Sequence, residues 1–287
     1  ILMISLGCAK NLVDAEIMCG GLATAGFILT NRAEDADILV VNTCSFIADA
    51  RTEAGAEIRR ALQWKRRRPA RRVVVTGCLP QRDPADTARA YPGVDLFLGL
   101  DDVPRIADHL TRLVAGEFPE RPRPDGTPPT YLYDHQTPRL QLTPRTYAYV
   151  KIAEGCDHRC TFCSIPRIRG RLRSRPIASI VAERRALLAQ GVRELNFIAQ
   201  DTTRYGHDRT DGADLAALVR ECDRLEGDFW LRILYTHPRH FAPELLETLT
   251  QTRHVVPYID MPLQHISDRM LRAMGRRFDG AATRQRL

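Results

Sequence analysis

Six of the eight cysteines in this 287-residue chain fall into two sets of three whose spacing suits metal binding. Cys156, Cys160 and Cys163 form a C-x3-C-x2-C run just past an apolar segment. Three thiolates so close in one loop can wrap one face of an ion or cluster. His158 could complete a zinc site, although structural zinc usually pairs two C-x2-C knuckles and none follows here. An iron–sulfur cube usually takes four ligands, and a cube held by three keeps one iron open for a small molecule. The other set is spread along the chain. Cys8, Cys44 and Cys78 lie 36 and 34 residues apart, after the segments ISLG, VVNT and VVTG. One βα unit per interval would bring the three thiols to a single crevice at the carboxyl ends of neighbouring parallel strands. Gly7 and Gly77 would let the backbone turn sharply there. Cys19 and Cys222 lie on apolar helical stripes and read as core.

The elements that must position these thiols alternate. Strands are predicted at 1–6, 37–42, 72–76 and 95–98. Helices are predicted from a cap at Asn11 to an exit at Gly26, over 46–68, and over 101–114. This alternation predicts a parallel sheet with helices on its faces over residues 1–116. Residues 117–144 hold Pro119, Pro122, Pro124, Pro128, Pro129, Pro138 and Pro144 and read as a linker, with one short strand at 131–133. A second series fills 145–287, with strands at 148–153, 194–199, 230–235 and 255–261. Its helices are predicted at 177–190, 213–225 and 243–250, and a last one starts at 267–274. Four βα units cannot close an eight-stranded barrel, so the expected fold class is α/β: a parallel-sheet domain, then a partial (β/α) barrel.

At 44% apolar and 27% charged the chain is in the globular range, which excludes disorder and collagen-like structure. No apolar run reaches the ~18 residues that cross a bilayer, and no signal segment opens the chain, so a cytoplasmic location and no membrane partner are expected. Net charge is +7, carried almost wholly by arginine, with lysine only at Lys10, Lys65 and Lys151. Codon bias explains such an excess as well as nucleic acid does, and it makes no independent case for direct RNA binding.

The C-x3-C-x2-C loop behind a strand that opens a βα series resembles the signature of the radical S-adenosylmethionine (SAM) enzymes. SLGCAKNLVD at 5–14, GCDHRCTFCSIPRIRG at 155–170, AQDTTRYG at 199–206 and PLQH at 262–265 narrow the resemblance to the methylthiotransferase family. Within it, the chain is similar to the branch acting on small-subunit ribosomal protein S-twelve. The resemblance implies two [4Fe-4S] clusters and SAM: a SAM-cleaving cluster on Cys156, Cys160 and Cys163, and an auxiliary one on Cys8, Cys44 and Cys78. It implies hydrogen abstraction by a deoxyadenosyl radical and methylthio insertion at the β-carbon of an aspartate, with an electron donor such as flavodoxin or ferredoxin. Gln200 and Asp201 end a barrel strand on the face where such folds build sites, and the resemblance puts them on SAM. Tyr205, Arg232 and His237 are assigned there too. Phe162 would cover the cluster. Arg167, Arg169, Arg171, Arg173 and Arg175 are either a solvated face or a charge aimed at the auxiliary cluster, the SAM carboxylate or an acidic substrate. Family members continue through two further βα units and a small β-barrel (TRAM), so the chain reads as truncated at its C-terminus. The competing readings are a tRNA adenosine methylthiotransferase and, outside the enzymes, a zinc-stabilised binding module.

Overall fold

In a computed structural model, residues 1–117, 124–276 and 278–286 are described. They form two compact units. The first comprises Ile1–Tyr131, Thr137–Leu142 and Arg167–Arg169; the second comprises Leu132–Gln136, Thr143–Pro166 and Gly170–Leu287. No helix among the described residues is long and apolar enough to cross a membrane.

The first unit alternates β1 (Leu2–Ser5), α1 (Ala9–Thr24), β2 (Ile38–Thr43), α2 (Ala48–Lys65) and β3 (Arg72–Gly77). The short helices α3 (Cys78–Arg82) and α4 (Pro84–Ala90), absent from the sequence reading, precede β4 (Leu96–Phe97) and α5 (Ile106–Val114). All strands are parallel, in the spatial order β1-β2-β3-β4. Every residue of β2 is buried, as expected for a continuous β-branched strand covered on both faces. One face of the sheet (Leu39, Val41, Val73, Val75) packs on Ala54, Ile58, Ala61 and Trp64 of α2. Register aligns Ser5 with Asn42 and Asn42 with Thr76, so the three strands end level and hand their cysteines to one edge. Asn11 is not the cap: α1 begins at Ala9 with Cys8 in the cap position, and the Asn11 side chain bonds to the strand ends instead.

The predicted strand at 131–133 does not form. Pro128 and Pro129 precede it, and the Asp101 carboxylate takes the backbone N–H groups of Thr130 and Tyr131 that a strand would have used. Of the proline-rich stretch, Pro119 and Pro122 lie outside the described residues. The described part is irregular and divides between the two units.

In the second unit, β5 (Tyr147–Lys151), β8 (Glu194–Ile198) and β9 (Trp230–Ile233) make a parallel sheet in the order β5-β8-β9. Between β5 and β8 come β6 (Ala153–Glu154), α6 (Ile165–Arg169, whose last three residues belong to the first unit), β7 (Arg173–Ser174) and α7 (Ile177–Ala189). The strand predicted at 148–153 breaks at Ile152: past it the chain leaves β8 and β6 pairs antiparallel with β7. α8 (Leu215–Asp223) precedes β9, and α9 (Pro243–Gln251), α10 (Asp268–Ala273) and α11 (Gly280–Arg286) follow. The strand predicted at 255–261 is reduced to one bridge, Leu231 to Val255. Pro257, which has no N–H to give, interrupts it; pairing resumes only where Thr236 N–H reaches the Asp260 carbonyl.

Candidate functional site

The first unit holds Cys8, Cys44 and Cys78 just past the ends of β1, β2 and β3. Gly7 (φ +87°) and Gly77 (φ +91°) adopt a conformation that disfavours side chains, and space forbids one as well. A Cβ on Gly7 would lie 2.5 Å from Cys44 Cβ and 2.9 Å from its Sγ; one on Gly77 would lie 2.4 Å from Asn42 Oδ1. Asn11 Nδ2 donates to the carbonyls of Leu6 (2.6 Å) and Asn42 (3.3 Å), and Asn42 Nδ2 returns a bond to the Asn11 carbonyl. Thr43 Oγ1 donates to the Thr76 carbonyl and Ser45 Oγ to that of Cys78. The thiol-bearing ends of the three strands are thus tied to one another.

Cys44 and Cys78 are buried and Cys8 is exposed, so the site opens on the Cys8 side. Burial pushes the Cys78 thiol up to about 11; the Arg169 guanidinium opposes this, and thiolates at Cys8 and Cys44 add to it. Mutual repulsion of this kind opposes ionising all three thiols at once. Displacing three protons with one cationic centre relieves it, which is the general condition for metal binding by thiols. Two buried atoms beside the triad, Asn42 Oδ1 and Thr76 Oγ1, make no hydrogen bond. Arg169 Nη2 lies 3.4 Å from Cys78 Sγ.

The second unit holds Cys156, Cys160 and Cys163 in the loop after β6. Gly155 (φ +80°) is obligatory, since a Cβ there would fall 2.0 Å from the Arg171 carbonyl oxygen. Cys156 N–H donates to the Gly170 carbonyl and Cys163 N–H to that of Cys160. The end of α10 clamps the loop: Thr161 donates from its N–H to the Met274 carbonyl and from Oγ1 to that of Ala273. Burial drives the Cys156 thiol up to about 12, and neighbouring Asp201, Cys163 and Cys160 push the same way. With Cys19 and Cys222 in helix cores at 2% and 0% exposure, each triad offers three thiols. Both donor sets fit an iron–sulfur cube with one iron left open.

Beside the loop lies a cavity of about 410 Å³, lined by His158, Cys160, Arg204, His237, His240 and Arg276 among others. Asp201 organises it from below. Its buried carboxylate accepts from His158 Nε2 (2.7 Å), His240 Nδ1 (3.1 Å) and Thr203 Oγ1. Burial alone would raise its pKa, but these bonds outweigh burial and hold it below the usual carboxylate range. The rings of His158 and His237 stack at 4.6 Å. Burial, then the charge of Arg276, lowers His237 to about 3. His158, Asp201, His237 and His240 offer ligand atoms within 4.8 Å of one another. Even so, Asp201 is fully engaged and Arg276 Nη1 stands 2.5 Å from His237 Nε2, so a cation would have to displace a guanidinium. With Arg159, Arg204 and Arg239 also on its wall, the cavity suits an anionic group. Gln200 Nε2 donates to Glu154 Oε1 within a buried Lys151–Glu154 pair, and Gln200 Oε1 is a buried acceptor with no partner among the described residues.

Of the residues assigned to SAM from sequence, Gln200, Asp201 and His237 come together near the second triad. Tyr205 does not. It is 0% exposed within the core, and its hydroxyl donates to the Arg175 carbonyl. Arg232 turns the other way along its strand and pairs at 2.8 Å with Glu194, the first residue of β8. Phe162 is 48% exposed. The arginine run splits: Arg167 pairs with Asp83, Arg175 with buried Glu183, and Arg169 alone of the described run contacts a thiol. His240, Arg276 and Glu154 escaped the sequence reading. The pair His237-x-x-His240 just past β9 was a usable signal for the first; Arg276 follows a helix predicted at the very end of the chain.

Comparison with known proteins agrees with the two-part layout. Residues 1–99 match the uncharacterized protein family UPF0004, and residues 150–284 match the radical SAM superfamily. Solved structures give the fold. The radical SAM methyltransferase TsrM from Kitasatospora setae superposes with a TM-score of 0.66 at 17% identity, over 98% of this chain and 65% of that one. The cobalamin-dependent SAM radical enzyme OxsB gives 0.62 at 12% identity, over 98% and 46%. The thiol loop and most of the parallel sheet behind it lie within the region that matches the radical SAM superfamily. Among curated proteins, ribosomal protein uS12 methylthiotransferase RimO of Syntrophus aciditrophicus is 48% identical, over 99% of this chain and 63% of its own length. The protein of the same name in Opitutus terrae is 45% identical, over 98% and 64%. The chain is thus similar to curated methylthiotransferases over nearly all of its residues, and it spans about three-fifths of the length of the relatives it matches.

Proposed function

We propose that this chain is the catalytic part of an enzyme that methylthiolates the β-carbon of an aspartate in uS12, the small-subunit ribosomal protein S-twelve. Its domains would be 1–116, carrying the auxiliary centre, and 145–287, carrying the SAM-cleaving centre, joined by 117–144. The observation that carries the reading is the presence of two three-thiol sites, one at the carboxyl ends of three parallel strands and one in the loop after β6. When bound, the [4Fe-4S] cluster on Cys156, Cys160 and Cys163 would supply the electron that cleaves SAM, and the cluster on Cys8, Cys44 and Cys78 would hold the sulfur delivered to the substrate.

The chain's own residues bind and orient. Arg276, beside Cys160, and the other arginines of the cavity attract a carboxylate. Gln200 Oε1 is a buried acceptor ready for an ammonium. Asp201 fixes His158 and His240 as donors and holds the cavity floor rigid. Cys156 and Cys78 anchor the buried side of each centre, and access is from the side of Cys8 in one and Cys160 in the other. An electron donor of the flavodoxin or ferredoxin type and a cytoplasmic location follow from this chemistry.

The test is to reconstitute the chain anaerobically with iron and sulfide and incubate it with SAM, reductant and either uS12 or tRNA. The reading expects the mass of one methylthio group to appear on uS12 alone. Modification of tRNA instead, or a protein that takes up zinc and no sulfide, would overturn it.

A further inference from the structure

Arg169 is 2% exposed, and its guanidinium meets Asp14, Asn11 and Cys78. Nη1 donates to Asp14 Oδ2 at 2.7 Å; Nη2 donates to Asn11 Oδ1 at 3.3 Å and to Cys78 Sγ at 3.4 Å. An ion pair alone would need only Asp14. Asn11 is also the residue whose amide ties the ends of β1 and β2 together, so the guanidinium is registered to the strand ends that carry Cys8 and Cys44. A planar fork can hold a carboxylate on one edge and reach a sulfur with the other; an ammonium cannot do both with fixed geometry. Three thiolates and the electrons placed on them make this site anionic, and a cation fixed in low dielectric acts on it strongly.

We propose that Arg169 is the positioning residue of the Cys8–Cys44–Cys78 centre. Clamped by Asp14 and Asn11, it keeps a positive charge and a hydrogen bond on Cys78 Sγ and so sets the reduction potential of the metal–sulfur group held there. Hydrogen bonds to cluster sulfurs and net charge are the protein's principal controls of that potential. The inference rests on the two-centre reading above.

The first centre is isolated in a full chain carrying Cys156→Ala, Cys160→Ala and Cys163→Ala, reconstituted anaerobically with iron and sulfide. Iron is counted, and a redox titration is followed by electron paramagnetic resonance. The parent should hold about four irons. Arg169→Met should favour the oxidised form at least tenfold at a fixed potential, a fall of about 59 mV for a one-electron couple. Arg169→Lys should recover part of that fall. Asp14→Asn, which removes the compensating negative charge but leaves an oxygen for Arg169, should move the potential upward. Opposite shifts from the two partners are a signature that loosened packing does not produce. Unchanged potential in Arg169→Met, or a common direction for all variants, overturns the inference. Should Arg169→Met hold no iron, Asp14→Asn decides: an upward shift supports the role and any other result overturns it. A parent that binds no iron overturns the two-centre reading itself, and the inference with it.

Discussion

Asn42 Oδ1 is buried without a hydrogen bond, and Gly77 is the residue that leaves it room. An alanine at Gly77 would meet that oxygen at 2.4 Å from a backbone angle already strained for a side chain. Gly155 plays the same part in the other unit, against the Arg171 carbonyl. Strain and overpacking of this kind cost about 1–3 kcal/mol each. Because the two glycines serve different triads, their effects should separate. Gly77→Ala should lose the iron bound by the first centre and keep that of the second; Gly155→Ala should do the reverse. Iron analysis combined with a triad-specific Cys→Ala background checks this. A chain that loses both irons in either variant would show that the two sites do not fold independently. His237 carries a prediction of a different kind. Its folded pKa of about 3 is below the unfolded 6.5, so between these values the unfolded chain binds more protons and stability rises with pH. Stability should therefore fall as pH drops below 6.5, by at most about 1.4 kcal/mol per unit. Comparing Tm at pH 7 and pH 5 in the parent and in His237→Gln tests it: the variant should show the shallower decline.

At the scale of elements, most of what positions the thiols could be read from the sequence, because strands followed by Gly-Cys or Thr-Cys have one meaning in a parallel sheet. β2 and β3 appear within a residue of expectation, and their cysteines emerge at one edge. What could not be read depends on distant partners. The residues at 131–133 have strand composition, but Asp101 takes the N–H of Tyr131 and of Thr130 before it. The strand at 255–261 looked continuous by hydropathy, yet Pro257 reduces it to a bridge. Tyr205 and Arg232 stood near strand ends, but direction along and across a strand decides function, and neither points at the cavity. Tyr205→Phe should accordingly cost about 1–3 kcal/mol, since it strands the buried Arg175 carbonyl. SAM affinity should be unchanged in Tyr205→Phe and in Arg232→Met, but reduced in Arg276→Met. Calorimetric binding of SAM to the reconstituted protein would show it; weakened binding in Arg232→Met would contradict the placement of that side chain.

For the molecule as a whole, the eight cysteines divide into two in helix cores and six in the two proposed centres. Arg169 and Arg175 are buried against Asp14 and Glu183, so part of the arginine content serves internal ion pairs rather than a positive surface. The central claim is that the chain carries two metal–sulfur centres with separate duties. Iron content and SAM cleavage, measured together in Cys160→Ala and Cys44→Ala after anaerobic reconstitution, address it most directly. The parent should hold about eight irons and each variant about four. Cleavage of SAM to deoxyadenosine should disappear in Cys160→Ala and persist in Cys44→Ala. Loss of cleavage in both variants, or a parent that holds zinc and no sulfide, would contradict the account.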